Sequence, residues 1–231
     1  MRQFALAGMA AAAALIIAAC QPAAKEPALA APHAVYDART FFDTKAVSMA
    51  YGSGHAFSPD GSKLLLATDA SGVFNAESLP TTGGGPTPLT TSPDNATFAI
   101  SYFPSDERIL VGADKGGNEL DHVYVREVDG TLKDITPGDG LKADFLDWSD
   151  DGRTFWVISN ERDPQMFDVY AYDTATFARK LVFKNEGYFA GAISGDGKWL
   201  ALTKEHSSAN SDLYLADMTK PNAKPLLISR H

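Results

Sequence analysis

A five-residue phrase returns about every 45 positions along this chain. Phe57-Ser58-Pro59-Asp60-Gly61 reappears as Phe103-Pro104-Ser105-Asp106-Glu107, Trp148-Ser149-Asp150-Asp151-Gly152 and Ile193-Ser194-Gly195-Asp196-Gly197. A second landmark keeps the same beat: Val123-Tyr124-Val125, Val169-Tyr170-Ala171 and Leu213-Tyr214-Leu215. A period in the 40s, with short apolar runs separated by Asp-Gly turns, is the pattern of propeller blades of four antiparallel strands. The expected fold is therefore all-β: a β-propeller segment of about four four-stranded blades, beginning near residues 53, 97, 143 and 188. A sandwich of chance-similar hairpins would not hold one register through four units.

The strands can be placed within each unit. Innermost strands are expected at 54–57, 99–103, 145–148 and 190–193, where small residues let neighbouring blades approach the axis. The second strands are the most apolar: Leu64 to Ala67, Ile109 to Val111, Phe155 to Ile158 and Trp199 to Leu202. Near-continuous apolar runs fit strands covered on both faces. Third strands carry the Tyr landmark, and fourth strands fall near 87–90, 133–136, 180–183 and 225–228. The first unit fits worst, with its third strand expected at 73–76 and Gly83-Gly84-Gly85 inserted before its fourth. Trp148, Trp156 and Trp199 are assigned to core packing. A ring of blades must leave no open edge. Either these four blades close as a small ring or this is part of a larger protein.

The N-terminus reads as an address. Met1-Arg2-Gln3 precedes an apolar and small stretch from Phe4 to Ala19, too short for a comfortable membrane span but suited to a signal-peptide core. It ends Ile16-Ile17-Ala18-Ala19-Cys20 and resembles a bacterial lipobox, with Ile17 where Leu is usual. Residues 1–19 are thus expected to be a lipoprotein signal peptide. Cys20, the one cysteine of the chain, is the expected lipid attachment site. Gln21 at the next position points to the outer membrane. Residues 20–34 form a Pro/Ala-rich tether that could hold a domain about 40 Å off the membrane. Residues 35–231 form the partial propeller. The expected location is the periplasmic side of a bacterial envelope.

Composition removes some functions. Twenty-nine acidic residues against 20 basic ones give a net charge of -9, which repels phosphate backbones and argues against nucleic acid as a partner. One cysteine excludes an intrachain disulfide and any multi-cysteine zinc site. The five histidines show no metal-ligand spacing. Asp147, Asp150 and Asp151 do not match an EF-hand loop. No metal or cofactor is expected. Asn95-Ala96-Thr97 matches a glycosylation acceptor that a bacterial envelope would not use.

Several local phrases resemble the bacterial S9 serine peptidases, the prolyl oligopeptidase relatives that include dipeptidyl and acylaminoacyl peptidases. They are Ala76-Glu77-Ser78-Leu79-Pro80 with Pro88-Leu89-Thr90-Thr91, and Gly116-Gly117-Asn118-Glu119-Leu120 with His122-Val123-Tyr124-Val125-Arg126. Asn160-Glu161-Arg162-Asp163-Pro164 and Leu181-Val182-Phe183-Lys184-Asn185 belong to the same set. The resemblance runs from about Tyr36 to the end and covers only the N-terminal propeller of that family. It implies a gate and recognition wall that admits short peptides to an α/β-hydrolase domain carrying Ser, Asp and His. The Gly-x-Ser-x-Gly elbow of that domain does not occur in this sequence, so no catalytic residue is assigned and the chain alone is expected to be inactive. The expected partners are short peptides, the missing hydrolase domain, and the membrane through the lipid anchor. The rival reading is a self-contained, non-catalytic propeller lipoprotein of the TolB kind, acting as a binding scaffold.

Antiparallel blades put the loops between second and third strands on one face, together with the connections between blades. These loops are polar and varied, and recognition commonly resides on loops carried by a rigid scaffold. Glu119, Glu161, Arg162 and Glu186 are therefore the candidates for contact with peptide or a companion domain. The alternative for Glu161-Arg162-Asp163 is a solvated turn.

Overall fold

The computed structural model describes residues 34–52, 55–220 and 224–230. The expected signal peptide, Cys20 and nearly all of the expected tether lie outside the described residues. The chain divides into two units, residues 1–43 and 44–231. The described part of the first holds a single short helix, α1 (Ala38–Phe42). Its Asp37 cap accepts from the Thr40 N–H at 2.8 Å, and Tyr36 meets Phe41 edge-on.

The second unit consists of four separate four-stranded antiparallel sheets, each strand paired with the next in sequence. Blade 1 contains β1 (Val47–Met49), β2 (Lys63–Thr68), β3 (Asn75–Pro80) and β4 (Thr87–Pro88). Blade 2 contains β5 (Thr97–Tyr102), β6 (Ile109–Ala113), β7 (His122–Arg126) and β8 (Leu132–Asp134). Blade 3 contains β9 (Ala143–Trp148), β10 (Thr154–Asp163), β11 (Met166–Asp173) and β12 (Arg179–Phe183). Blade 4 contains β13 (Phe189–Ile193), β14 (Trp199–Ser207), β15 (Asn210–Asp217) and β16 (Leu226–Ser229). The four sheets stay separate, as propeller blades do, and do not merge into a closed barrel, in keeping with an incomplete propeller.

The repeated phrase forms the hairpin between first and second strands. In blade 1 the Asp60 carboxylate accepts from the Ser58 hydroxyl at 2.7 Å and the Ser62 N–H at 3.0 Å, while Gly61 takes φ +69°. Ser149-Asp151 and Ser194-Asp196 repeat this, with Gly152 and Gly197 at positive φ. Blade 2 has Glu107 in place of glycine. There Arg108 clasps Asp106 with two guanidinium nitrogens at 2.9 Å and lies 4.1 Å over the Phe103 ring.

Each gap between blades holds one apolar core. Leu65, Ala67, Ile109 and Val111 fill the first gap; Leu110, Val125, Trp148 and Phe155 the second; Trp156, Val169, Leu200 and Leu202 the third. The third strand of each blade packs on the innermost strand of the next: β3 on β5, β7 on β9, β11 on β13. The Trp148 indole N–H donates at 2.8 Å to the buried Ser101 hydroxyl, which ties blade 3 to blade 2.

Blade 1 departs from the sequence expectation. Its innermost strand is Val47–Met49, and the expected 54–57 strand is reduced to one bridge between Phe57 and Leu64. The chain between them is diverted to the next blade, where the Gly52 N–H donates to the Ile100 carbonyl at 2.6 Å. A Cβ at Gly52 would stand only 2.7 Å from that oxygen. The third strand starts later than expected, at Asn75, because Asp69–Gly72 is spent in a turn. The tryptophan assignment also needs correction. Trp148 and Trp156 are buried, but Trp199 is 46% exposed. Trp199 stands on the far face of blade 4 with Phe189 and Leu213, where no further blade packs among the described residues.

Candidate functional site

The loop face of blades 1 and 2 carries a cavity of about 570 Å³. Four connections build it: β2–β3 supplies Asp69 and Phe74, β4–β5 supplies Asp94 and Asn95, β6–β7 supplies Asp114, Glu119 and Asp121, and the segment entering β9 supplies Lys142. Phe98 of β5 joins Phe74 as an aromatic pair, with ring centroids 5.0 Å apart.

Local hydrogen bonding fixes several of these groups. Asp69 accepts from the Ala46 N–H at 2.8 Å, and Asn95 accepts from the Gly116 N–H at 2.8 Å. Asp114 accepts from the Glu119 N–H at 2.9 Å, which closes the β6–β7 loop on itself. The preceding Gly116 and Gly117 both take positive φ, and Glu119 itself sits at φ +60°, a conformation uncommon for a residue with a side chain. Lys142 reaches in from blade 3, donating to the Glu119 carbonyl at 2.8 Å and lying 3.4 Å from the Asp121 carboxylate.

Five carboxylates thus surround the cavity against one ammonium, above an apolar pair of rings. Such a cleft favours cations, and an ammonium over an aromatic face gains a further cation–π attraction. Its polar lining is five carboxylates, the Asn95 amide and the Lys142 ammonium. Among the described residues no group of three or more His, Cys, Asp or Glu side chains is arranged to hold a metal ion.

A smaller cavity of about 190 Å³ adjoins the cleft and shares Phe98, Asp121 and Lys142 with it. Tyr51 of blade 1 and Asp144 of blade 3 both line it, and the Tyr51 hydroxyl donates to Asp144 Oδ1 at 3.3 Å. Desolvation, followed by the nearby negative charge, pushes the Tyr51 phenol up. Desolvation also raises the Asp144 carboxyl, against the lowering effect of the Phe145 N–H.

Of the four sequence candidates, Glu119 lines the cleft and the other three do not. Glu161 is paired with Arg179 across blade 3. Arg162 grips the fully buried Asp168 through Nε and Nη2, at 2.5 and 2.8 Å, and also donates to the Asn185 carbonyl. Glu186 is exposed in the β12–β13 connection. Sequence reasoning missed Asp69, Asp94, Asp121, Lys142 and the phenylalanine pair. The available signal was an acidic residue in each of the β2–β3, β4–β5 and β6–β7 connections.

A propeller of four-stranded blades with an acid-lined cleft on its loop face is the class of protein that fold and site define. Residues 90–231 match the family model of the prolyl oligopeptidase N-terminal beta-propeller domain, and the chain belongs to that family. It is 33% identical over 141 residues to dipeptidyl aminopeptidase BIII of Pseudoxanthomonas mexicana, a stretch covering 59% of this chain and 20% of that protein. The chain therefore spans about a fifth of the length of the curated relative it matches. Among solved structures it resembles TolB from Acinetobacter baumannii, with TM-score 0.57 and 19% identity over 80% of this chain and 44% of the other. A prolyl endopeptidase structure matches with TM-score 0.55 and 17% identity, covering 73% of this chain and 27% of the other. These structural likenesses speak to the fold.

Proposed function

We propose that this chain is the N-terminal propeller part of an envelope S9-type serine peptidase of the dipeptidyl or acylaminoacyl kind. It gates and positions short peptides for an α/β-hydrolase domain. The observation that carries the reading is the match of residues 90–231 to the S9 propeller, reinforced by 33% identity to a dipeptidyl aminopeptidase. The acid-lined cleft supports it physically, because an ammonium group finds five carboxylates there. In this reading the peptide bond is cut by acyl transfer in the hydrolase domain, while the propeller selects and orients. The partners are short peptides, that hydrolase domain, and the membrane through a lipid on Cys20. The location is the periplasmic side of the envelope, on the outer membrane.

The test is the intact mass of the native protein, recovered from envelopes with an antibody against this segment and treated with a serine-directed fluorophosphonate. A product much heavier than 24.7 kDa that takes up the label is expected. A lipidated, unlabelled product near the encoded mass would replace this reading with a self-contained binding scaffold of the TolB kind.

A further inference from the structure

We propose that the free edge of β13, the innermost strand of blade 4, binds an extended peptide main chain as an added strand. The inference rests on the reading of this chain as a handler of short peptides, and it adds which groups would hold a peptide backbone.

The innermost strand of every blade ends its sheet, so one of its edges has no partner strand. Unpaired strand edges recruit further strands unless they are short, covered or capped. Blades 1 to 3 each use one of these devices. β1 is only three residues long. The chain then leaves the sheet between Ala50 and Ala56, which both bond to Leu65. This excursion covers the edge of blade 2: the Gly52 N–H donates to the Ile100 carbonyl at 2.6 Å, and the Tyr102 N–H donates to the His55 carbonyl at 2.8 Å. In blade 3 side chains cap the edge. Asp144 accepts from the Phe145 N–H at 2.8 Å, and Asp147 accepts from the Trp148 N–H at 2.7 Å.

β13 has none of these protections. It runs for five residues, Phe189-Ala190-Gly191-Ala192-Ile193. Its bulge at Gly191 matches those at Ile100 and Leu146, so Phe189 and Ala192 stand where blade 3 has Asp144 and Asp147. Neither side chain carries an acceptor. The Ser194 N–H donates across the hairpin to the Trp199 carbonyl, as Phe103 and Ser149 do in their blades. The N–H of the preceding Ile193 therefore points to the free edge, like those of Tyr102 and Trp148. Among the described residues neither the Ala190 nor the Ile193 N–H has a partner outside its own sheet. Gly191 and Ala192 are exposed, and a Cβ on Gly191 would have its nearest neighbour 3.8 Å away, so a main chain has room to approach.

The molecule already contains this mode of binding. On β5 the carbonyl at the bulge and the N–H two residues on take up one N–H and one carbonyl of the excursion. On β13 the corresponding pair is the Gly191 carbonyl and the Ile193 N–H. Pairing through the main chain tolerates many side chains, which suits peptides of varied sequence.

The test uses the full chain and a dye-labelled, uncharged heptapeptide of alternating threonine and valine, with binding followed by fluorescence anisotropy. Ala192→Asp and Ala192→Asn install on blade 4 the cap that Asp147 makes on blade 3. Both are expected to weaken binding about fivefold, the effect of pre-empting one backbone hydrogen bond. Ala192→Val adds bulk without an acceptor and is expected to keep the parent affinity. Saturating peptide is expected to slow amide exchange at Ile193 in the parent protein. No binding by the parent protein would overturn the proposal. So would equal affinity in all of these proteins, a loss in Ala192→Val as large as in Ala192→Asp, or unchanged exchange at Ile193. If Ala192→Asp does not fold, Phe189→Asp places the matching cap on the Ala190 N–H. Binding is read without any hydrolase activity, so a negative result here leaves the peptidase reading standing. An unlabelled native product of the encoded mass would in turn leave the edge site standing.

Discussion

The aspartates of the hairpin turns show how one short phrase serves both chain reversal and acid sensitivity. Asp60 and Asp196 are held at about 2, against an ordinary 3.8, chiefly by the hydroxyls of Ser58 and Ser194. Asp151 is lowered as well, chiefly by the Arg153 N–H and then the Ser149 hydroxyl. A carboxylate whose pKa is depressed by folding stabilises the fold above its unfolded value and loses that contribution as pH falls through its folded value. The window here runs from about pH 4 down to about pH 2. Melting temperature should therefore fall through that interval, and the double variant Asp60→Asn, Asp196→Asn should show a shallower fall. Melting curves at half-unit pH steps check this. An unchanged slope in the double variant would mean that the turns do not govern acid lability.

At the scale of the blade, the hairpin turns also lock neighbours together, and glycine is what lets them approach. Gly197 takes φ +68°, and a Cβ on it would stand 2.9 Å from the buried Trp156 ring of blade 3. Gly116 has the same φ of +68° on the cleft loop, with nothing within 4 Å of its Cβ position. The pair separates backbone strain from crowding. Gly116→Ala should cost about 1 kcal/mol, the ordinary penalty of the left-handed conformation. Gly197→Ala should cost about 2–3 kcal/mol, because overpacking against the ring adds to the strain. Urea unfolding of both variants gives the comparison, and equal losses would remove the interlock from the account. The sequence made this level legible, since strand order and turn chemistry repeat with the period. It was blind where contacts cross blades. Nothing local to Val47–Met49 says that it, rather than 54–57, forms the innermost strand, because that depends on Gly52 docking under Ile100. Arg162 likewise offered a charge on a loop, whereas its partner Asp168 is on the return strand and buried. The cleft is the extreme case. Its carboxylates come from three separate connections and its lysine from a fourth, so no spacing in the chain marks them as one site.

At the scale of the molecule, the decisive feature is the uncovered face of blade 4. Blade 3 covers its outward side with Trp156, Val169 and Ala171 packed on blade 4, whereas Trp199, Leu213 and Phe189 of blade 4 face no further blade among the described residues. Since β3, β7 and β11 each land on the innermost strand of the next blade, β15 is the strand on which a further blade would rest. An apolar sheet face of this kind binds hydrophobic dyes and favours self-association until it is covered. The three tryptophans supply the measurement. Trp148 and Trp156 are 4% and 5% exposed, so iodide should quench only the Trp199 share of the fluorescence of this 231-residue chain. Trp199→Phe should abolish the quenchable fraction without moving the melting temperature appreciably, because little packing is lost at a half-exposed site. In a longer product with another blade resting on β15, that fraction should be absent before any mutation. A quenchable Trp199 persisting in such a product would show that the next segment packs elsewhere. The face of blade 4 would then be an outer surface of the protein rather than an interior one.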